Sequence, residues 1–202
     1  MLRSNRGFTL IEMIGVLAVI SILAAMVAPK IFEVIADSKA TRASAEVNTF
    51  ASGVAKWYKD IGSLQSLTAA GALNATDASF ESELTASGGT AGLWTRWRGP
   101  YIPYTTSPAI GTGLTISTAA GTTAVAATNA TGFDLSDDGT GDMATTNQVV
   151  ALVFAGVAQS EFERVDDILD SGLTKTGSAH QSRGKVKWDS ATGNMYIYIA
   201  HN

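Results

Sequence analysis

No cysteine occurs among the 202 residues, which excludes a disulfide framework, a thiolate metal cage and a cysteine nucleophile. Exported domains often rely on disulfides, so a domain of this composition must be stable without them. Histidine is scarce too: His180 and His201 are the only two. No His-Glu-x-x-His run, glycine-flanked nucleophile or phosphate loop accompanies them, so catalysis finds little support and a membrane-anchored hydrolase is an unsupported alternative. Basic residues are in deficit, with 14 Lys and Arg against 18 Asp and Glu for a net charge of −4. That balance argues against a general nucleic-acid or anionic-lipid binder and leaves any such role local.

Charge is sparse overall, at 16% of residues, and nearly absent from one stretch. From Phe8 to Ala28 the chain reads FTLIEMIGVLAVISILAAMVA, a run of roughly 20 residues that is long enough to cross a bilayer as a helix. Glu12 is its only charge, and Arg3 and Arg6 precede it without an acidic neighbour. The positive-inside rule then leaves the short N-terminus in the cytoplasm and everything after Lys30 outside. A cleaved secretory signal fits poorly, because the run is long, carries a carboxylate near its start and ends at Ala28-Pro29 without a small-x-small site. A simple anchor leaves Glu12 unexplained, since a carboxylate in a membrane helix costs about 2.5–3.5 kcal/mol on insertion scales. Arg6 snorkelling toward it is the bland alternative.

The run Gly7-Phe8-Thr9-Leu10-Ile11-Glu12 after a short basic leader resembles the type IV prepilin signal. The resemblance implies that a membrane aspartyl peptidase cuts on the cytoplasmic side after Gly7 and methylates the new N-terminus at Phe8. Glu12 then falls fifth in the mature chain, where the family has its glutamate. The cut frees an α-amine that is cationic near neutral pH and that a carboxylate of a neighbouring copy can pair with in a low-dielectric bundle. Pro29, twenty-second after the cut, matches a proline common in the family and is expected to kink the helix. In related filaments the segment before this proline unwinds on assembly; here Ser21 stands where many pilins have glycine, and Gly15 lies earlier. The resemblance is specific from Arg6 to about Ile35 and looser beyond.

After Pro29, Val47, Phe50, Ala51, Val54, Trp57, Tyr58 and Ile61 recur at three- and four-residue steps, an amphipathic helical pattern that stops at Gly62-Ser63. Its aromatics are read as core packing. A helix from Phe8 to Ile61 would be roughly 80 Å long if unbroken. The expected organisation is a leader at 1–7, a transmembrane or filament-core half of the helix at 8–29, an amphipathic half at 30–61 and a globular head at 62–202. Residues 62–90 read as a loop with helical character near Phe80 to Leu84. Short β-like pieces follow at Leu114–Ser117 and Ala124–Thr128, then a buried-looking run from Gln148 to Ala158 and a helix from Ser160 to Leu169 with Ser160 as its cap. Lys185–Trp188 and Met195–Ile199 form an expected terminal hairpin. Helix first and antiparallel strands later means α+β. The resemblance implies the pilin-like lollipop, a long N-terminal helix packed on an antiparallel β-sheet head.

Four stretches of the head invite a sharper reading. Trp94-Thr-Arg96-Trp97-Arg98-Gly-Pro-Tyr101 mixes cations and aromatics as single-strand nucleic-acid grooves do, and also resembles the W-x-GPY structural loop of many pseudopilins. Lys175, His180, Arg183, Lys185 and Lys187 make a basic late segment, read either as an edge strand protected by lysines or as a DNA or surface contact. Arg96, Trp97, Arg98, Lys185 and Lys187 are therefore the candidate contact residues. Asp134, Asp137, Asp138 and Asp142 gather around glycines as a Ca²⁺ loop would, though without EF-hand spacing. Asp166, Asp167 and Asp170 read as an exposed helix face. Asn74-Ala-Thr and Asn129-Ala-Thr fit the glycosylation triplet and read as solvated loops.

Taken with the resemblance, the sequence implies a structural subunit of a type IV pilus-like filament. Its partners would be copies of itself in a helical homopolymer, the prepilin peptidase and methylase, and the inner-membrane assembly platform with its ATPase. It would lie in a bacterial inner membrane first and in an extracellular pilus or periplasmic pseudopilus afterwards. A type II secretion pseudopilin and a minor pilin whose head captures DNA or a surface are the alternatives.

Overall fold

The computed structural model describes residues 8–74, 80–103, 108–120, 133–136, 142–143, 147–173 and 183–201. The chain divides into two compact units, Met1–Ser38 and Lys39–Asn202, and helix α1, Leu10–Ile61, contributes to both.

In the first unit every residue from Phe8 to Ile35 is exposed, although the best 18-residue window has a mean hydropathy of 2.6. Apolar side chains all round a helix belong in a membrane or against other helices, not in water. Pro29 lies inside α1. Its ring nitrogen has no hydrogen to give the carbonyl of Ala25, so one rung of the ladder is missing while the helix continues. The hydroxyl of Ser21 donates to the carbonyl of Leu17 at 2.7 Å, which satisfies a polar group that lipid could not.

The second unit begins with the rest of α1. Ala40, Ala43, Val47, Phe50, Val54, Trp57 and Ile61 are buried at helical spacing, one face of a 3.6-residue repeat. Tyr58, expected in that stripe, is 46% exposed instead. Gly53 is buried too, and Ile102 packs so close to it that a β-carbon there would overlap the isoleucine side chain. The helix stops where Gly62 turns to φ 84° and donates its N–H to the carbonyl of Tyr58 at 2.8 Å, a left-handed cap that costs glycine little.

A four-stranded antiparallel sheet, in the order β3-β4-β6-β5, packs on this helix face. Its strands are β3 Gly113–Ala120, β4 Gln148–Ala155, β5 Val186–Asp189 and β6 Asn194–His201, so the chain is α+β with a long N-terminal helix, as expected. The central strand β4 reads as a continuous apolar run because both of its faces are covered. Val150, Leu152 and Phe154 join the core with α1, while Val149 and Ala151 pack with Phe133 and Met143 on the other side. The register shifts between Val150 and Ala151, whose partners are Ala200 and Tyr198, leaving Ile199 as an extra residue. That bulge brings two consecutive side chains, Ile199 and Ala200, against the α1 side of the sheet.

Helix α3, Gln159–Leu169, crosses from β4 to edge strand β5, with Phe162 stacked on Trp188 at 5.6 Å. Ser160 does not cap it, because α3 starts one residue earlier; the carboxylate of Glu161 accepts the N–H of Ala158 at 3.2 Å. Asp166 and Asp170 do not form an exposed face either, since both are buried. The Asp170 carboxylate accepts the N–H of Val186 at 2.8 Å and so blocks the β5 edge. A carboxylate thus covers the β5 edge, where Lys187 of the expected lysine protection is buried and Lys185 is exposed.

Within 62–90 the chain is more ordered than the loop expected: β1 Ser66–Leu67 pairs with β2 Leu73–Asn74, followed by α2 Phe80–Thr85. Trp57 anchors this region, with Phe80, Trp94 and Tyr101 edge-on to it at 5.3–6.2 Å and its indole N–H on the carbonyl of Ser63 at 2.9 Å. The β-like piece expected at Ala124–Thr128 and the triplet at Asn129 lie outside the described residues; Asn74 closes β2.

Candidate functional site

Helix α1 opens on a reciprocal pair. Thr9 precedes the first helical residue, Leu10, so Glu12 is the third helical position. The Glu12 carboxylate oxygen Oε2 accepts the backbone N–H of Thr9 at 2.8 Å and its hydroxyl at 2.7 Å, and the Glu12 N–H reaches back to Thr9 Oγ1 at 3.4 Å. This is a capping box, which satisfies donors that the first turn of a helix leaves without partners. Two of the chain's own requirements meet at Glu12: its negative charge suits the positive end of the helix dipole, and its oxygen closes the turn. Both accepted bonds fall on Oε2, and among the described residues no bond is made to Oε1. Thr9 is thus the cap of α1, and Thr-x-x-Glu before an apolar run is a recognisable helix start. Phe8 is 81% exposed; Gly7, Arg3 and Arg6 lie outside the described residues.

The remaining head candidates separate into different environments. Arg96 and Arg98 are exposed at the end of a 3₁₀ turn, Gly92–Arg96. Trp97 between them is half-buried, donating its indole N–H to the carbonyl of Glu83 at 3.0 Å and packing edge-on to Tyr101 at 5.7 Å. The Tyr101 hydroxyl donates to Asp60 near the end of α1 at 2.8 Å and accepts the N–H of Arg98 at 2.9 Å. Trp97 and Tyr101 therefore tie a corner of the head together, with the two arginines projecting from it.

Lys185 is exposed, but Lys187 is fully buried, so its assignment as a surface or DNA contact is corrected. The face of β5 that carries Lys187 is covered by Phe133 and Asp134: the Lys187 ammonium sits 5.2 Å from the centre of the Phe133 ring. Burial pushes its pKa down to about 8, and the negative charge of Asp134 partly offsets this. Asp134 in turn faces Arg183 at 3.8 Å.

Of the four candidate calcium ligands, Asp134 and Asp142 are among the described residues. Asp134 is turned toward these cations, and Asp142 accepts the N–H groups of Leu135 and Ser136 at 2.7 and 2.8 Å. Asp137 and Asp138 lie outside the described residues, and among the described residues no three acidic or histidine side chains gather as a metal set.

Comparison with known proteins agrees with the N-terminal geometry. Residues 2–28 match the family model of the prokaryotic N-terminal methylation motif, so the chain carries a prepilin-type signal, the kind that prepilin peptidase processes. No characterised protein and no solved structure matches the chain.

Proposed function

We propose that the chain is a structural subunit of a type IV pilus-like filament, cut after Gly7 and assembled through α1. The observation that carries this reading is the continuity of the methylation motif at 2–28 with an apolar helix whose residues are exposed throughout Phe8–Ile35. Such a surface requires lipid before assembly and other helices afterwards, so a single segment serves as anchor and polymerisation element. Cutting before Phe8 gives the helix an ammonium at its positive end, which is unfavourable there unless an anion attends it. Glu12 of a neighbouring copy supplies that anion. The capping bond from Thr9 fixes the Oε2 side of the carboxylate and leaves Oε1 to receive the incoming amine. A buried carboxylate or ammonium without its partner is strongly destabilising, so pairing selects one axial register between copies.

A secretion pseudopilus is the second reading. It is favoured by Trp97-Arg98-Gly99-Pro100-Tyr101, the segment that resembles the pseudopilin loop and is fastened to Glu83 and Asp60. Capture of DNA by the head rests on Arg96, Arg98 and Lys185 once Lys187 is withdrawn.

Shearing cells and identifying the fibre subunit by mass spectrometry tests the filament reading. Surface fibres built of this chain support a pilus. Absence from fibres, together with loss of protein secretion in a deletion strain, assigns the secretion pseudopilus. A deletion strain with neither phenotype refutes both.

A further inference from the structure

The corner that Trp97 and Tyr101 fasten to α2 and to the end of α1 carries cations outward. Arg96 and Arg98 flank Trp97 in the chain and are exposed. The backbone N–H of Arg98 is held by the Tyr101 hydroxyl, which itself donates to Asp60. Lys56 is exposed and stands three residues after Gly53 and four before Asp60, so the three lie along one side of α1. That side faces the corner, because Gly53 is approached by the carbonyl of Tyr101 and Asp60 by its hydroxyl. We infer that Arg96, Arg98 and Lys56 form a surface for the phosphodiester backbone of single-stranded DNA, with Trp97 offering its ring to a base. The inference rests on the DNA reading of the head, adds α1 to the contact and removes Lys185 from it.

These cations are available to a ligand. Among the described residues no ion pair is made to Lys56, Arg96 or Arg98. The acids bonded to the corner have partners of their own: Asp60 accepts the Tyr101 hydroxyl, and the buried Glu83 carboxylate accepts the N–H of Leu67 on both oxygens, at 3.0 and 2.9 Å. Lys59, three residues on from Lys56 and also exposed, extends the positive rim. In a chain of net charge −4 such a cluster is a local departure, and a polyanion is drawn to it rather than to the head at large.

The side chains select among polyanions. A guanidinium fork matches phosphate oxygens in pairs, which a lysine ammonium does not. Trp97 is half-buried and keeps part of its ring in solvent, a surface on which an unpaired base can stack. The bases of a duplex are already stacked on each other and an acidic polysaccharide has none, so neither uses that ring. The corner is also preformed: Tyr101 is edge-on to Trp57 at 6.0 Å and to Trp97 at 5.7 Å, and Gly99 passes so close to Trp97 that a β-carbon would overlap its ring. Little ordering is then lost on binding. Lys185 belongs to another place. It precedes β5 at one edge of the sheet, whereas the corner is bonded to α2, which packs against β3 at the other edge.

Fluorescence anisotropy of a labelled oligothymidylate with the full-length chain in detergent, read against salt, tests the surface. Contacts from these cations to a single strand should give a slope of log affinity on log salt of about −2 to −3. Arg96→Ala/Arg98→Ala should weaken binding about tenfold or more and flatten the slope by about 1.4. Lys56→Ala, on a different element, should weaken it several-fold and flatten the slope by about 0.7. A duplex of the same length should bind more weakly than the single strand. Unchanged affinity in both variants, or a loss confined to Lys185→Ala, overturns the corner while leaving the DNA reading intact. A duplex that binds as tightly as the single strand overturns the role of Trp97. Binding of heparin without binding of oligothymidylate assigns the surface to acidic polysaccharide and overturns the inference. Wild-type chain with no salt-sensitive affinity for either DNA refutes the DNA reading itself.

Discussion

Glu12 and Thr9 close on each other across the first turn of α1, the carboxylate accepting both the N–H and the hydroxyl of Thr9 within 2.8 Å. The residue at the centre of the proposed assembly step is therefore already in use within its own chain. A carboxylate held this way is oriented before a neighbour arrives, which lowers the entropy lost when the amine pairs with it.

Thr9→Val removes the hydroxyl from that pair and keeps the backbone bond. Loss of a helix cap costs about 1 kcal/mol, so fibre yield should fall several-fold while cleavage after Gly7 persists; Thr9→Ser should retain wild-type yield. Mass spectrometry of the membrane pool separates the two steps. Equal yields from the valine and serine variants would show that the cap has no part in assembly.

Glu12→Ala should still be cut and should fail to incorporate at the correct register. Mixed expression with wild-type chain, followed by counting each form in sheared fibres, should find the variant depleted about tenfold or more. Normal homopolymers of Glu12→Ala would show that the charge pairing is not what sets assembly.

Lys187 gives the head a pH signature. Its pKa in the folded chain is about 8 and its ordinary value is near 10.4, so between these the unfolded chain binds more protons and stability rises with pH. The gain is about 3 kcal/mol at most. Above pH 10 it is opposed by Tyr101 and Tyr198, whose hydroxyls burial pushes up and which favour the folded state only while protonated. Urea unfolding of the detergent-solubilised chain from pH 7 to 10 should show the rise, and Lys187→Met should abolish it. A flat profile in the wild type would place the ammonium in contact with water.

Gly53→Ala drives a β-carbon into Ile102. Overpacking of this kind costs about 1–3 kcal/mol, against the small gain that alanine brings to an exposed helix position. The same substitution at Gly15, where nothing lies within 4 Å, should leave the folding of the chain unchanged. Thermal unfolding of the two variants makes the comparison.

Local signals in the sequence carried α1, β4 and the β5–β6 hairpin, because each is a periodic or continuous apolar run bounded by glycine or a turn. Thr9 was legible in principle, its Thr-x-x-Glu spacing overshadowed by the larger pattern around Glu12. Lys187 was not legible: alternation with Val186 and Trp188 points it away from the α1 core, and only the arrival of Phe133 and Asp134, some fifty residues away in sequence, covers that second face. The same holds for Asp166 and Asp170, whose helix looks solvated until β5 packs beside it. Non-local burial also separates Lys187 from Lys185, two residues that the sequence presents as equivalent.

The N-terminal mass of the subunit in sheared fibres tests the central claim most directly. The mature chain should begin at Phe8 and carry a methyl group on its α-amine. A subunit that still begins at Met1, or one cut after Ala28 with the apolar helix gone, would contradict it.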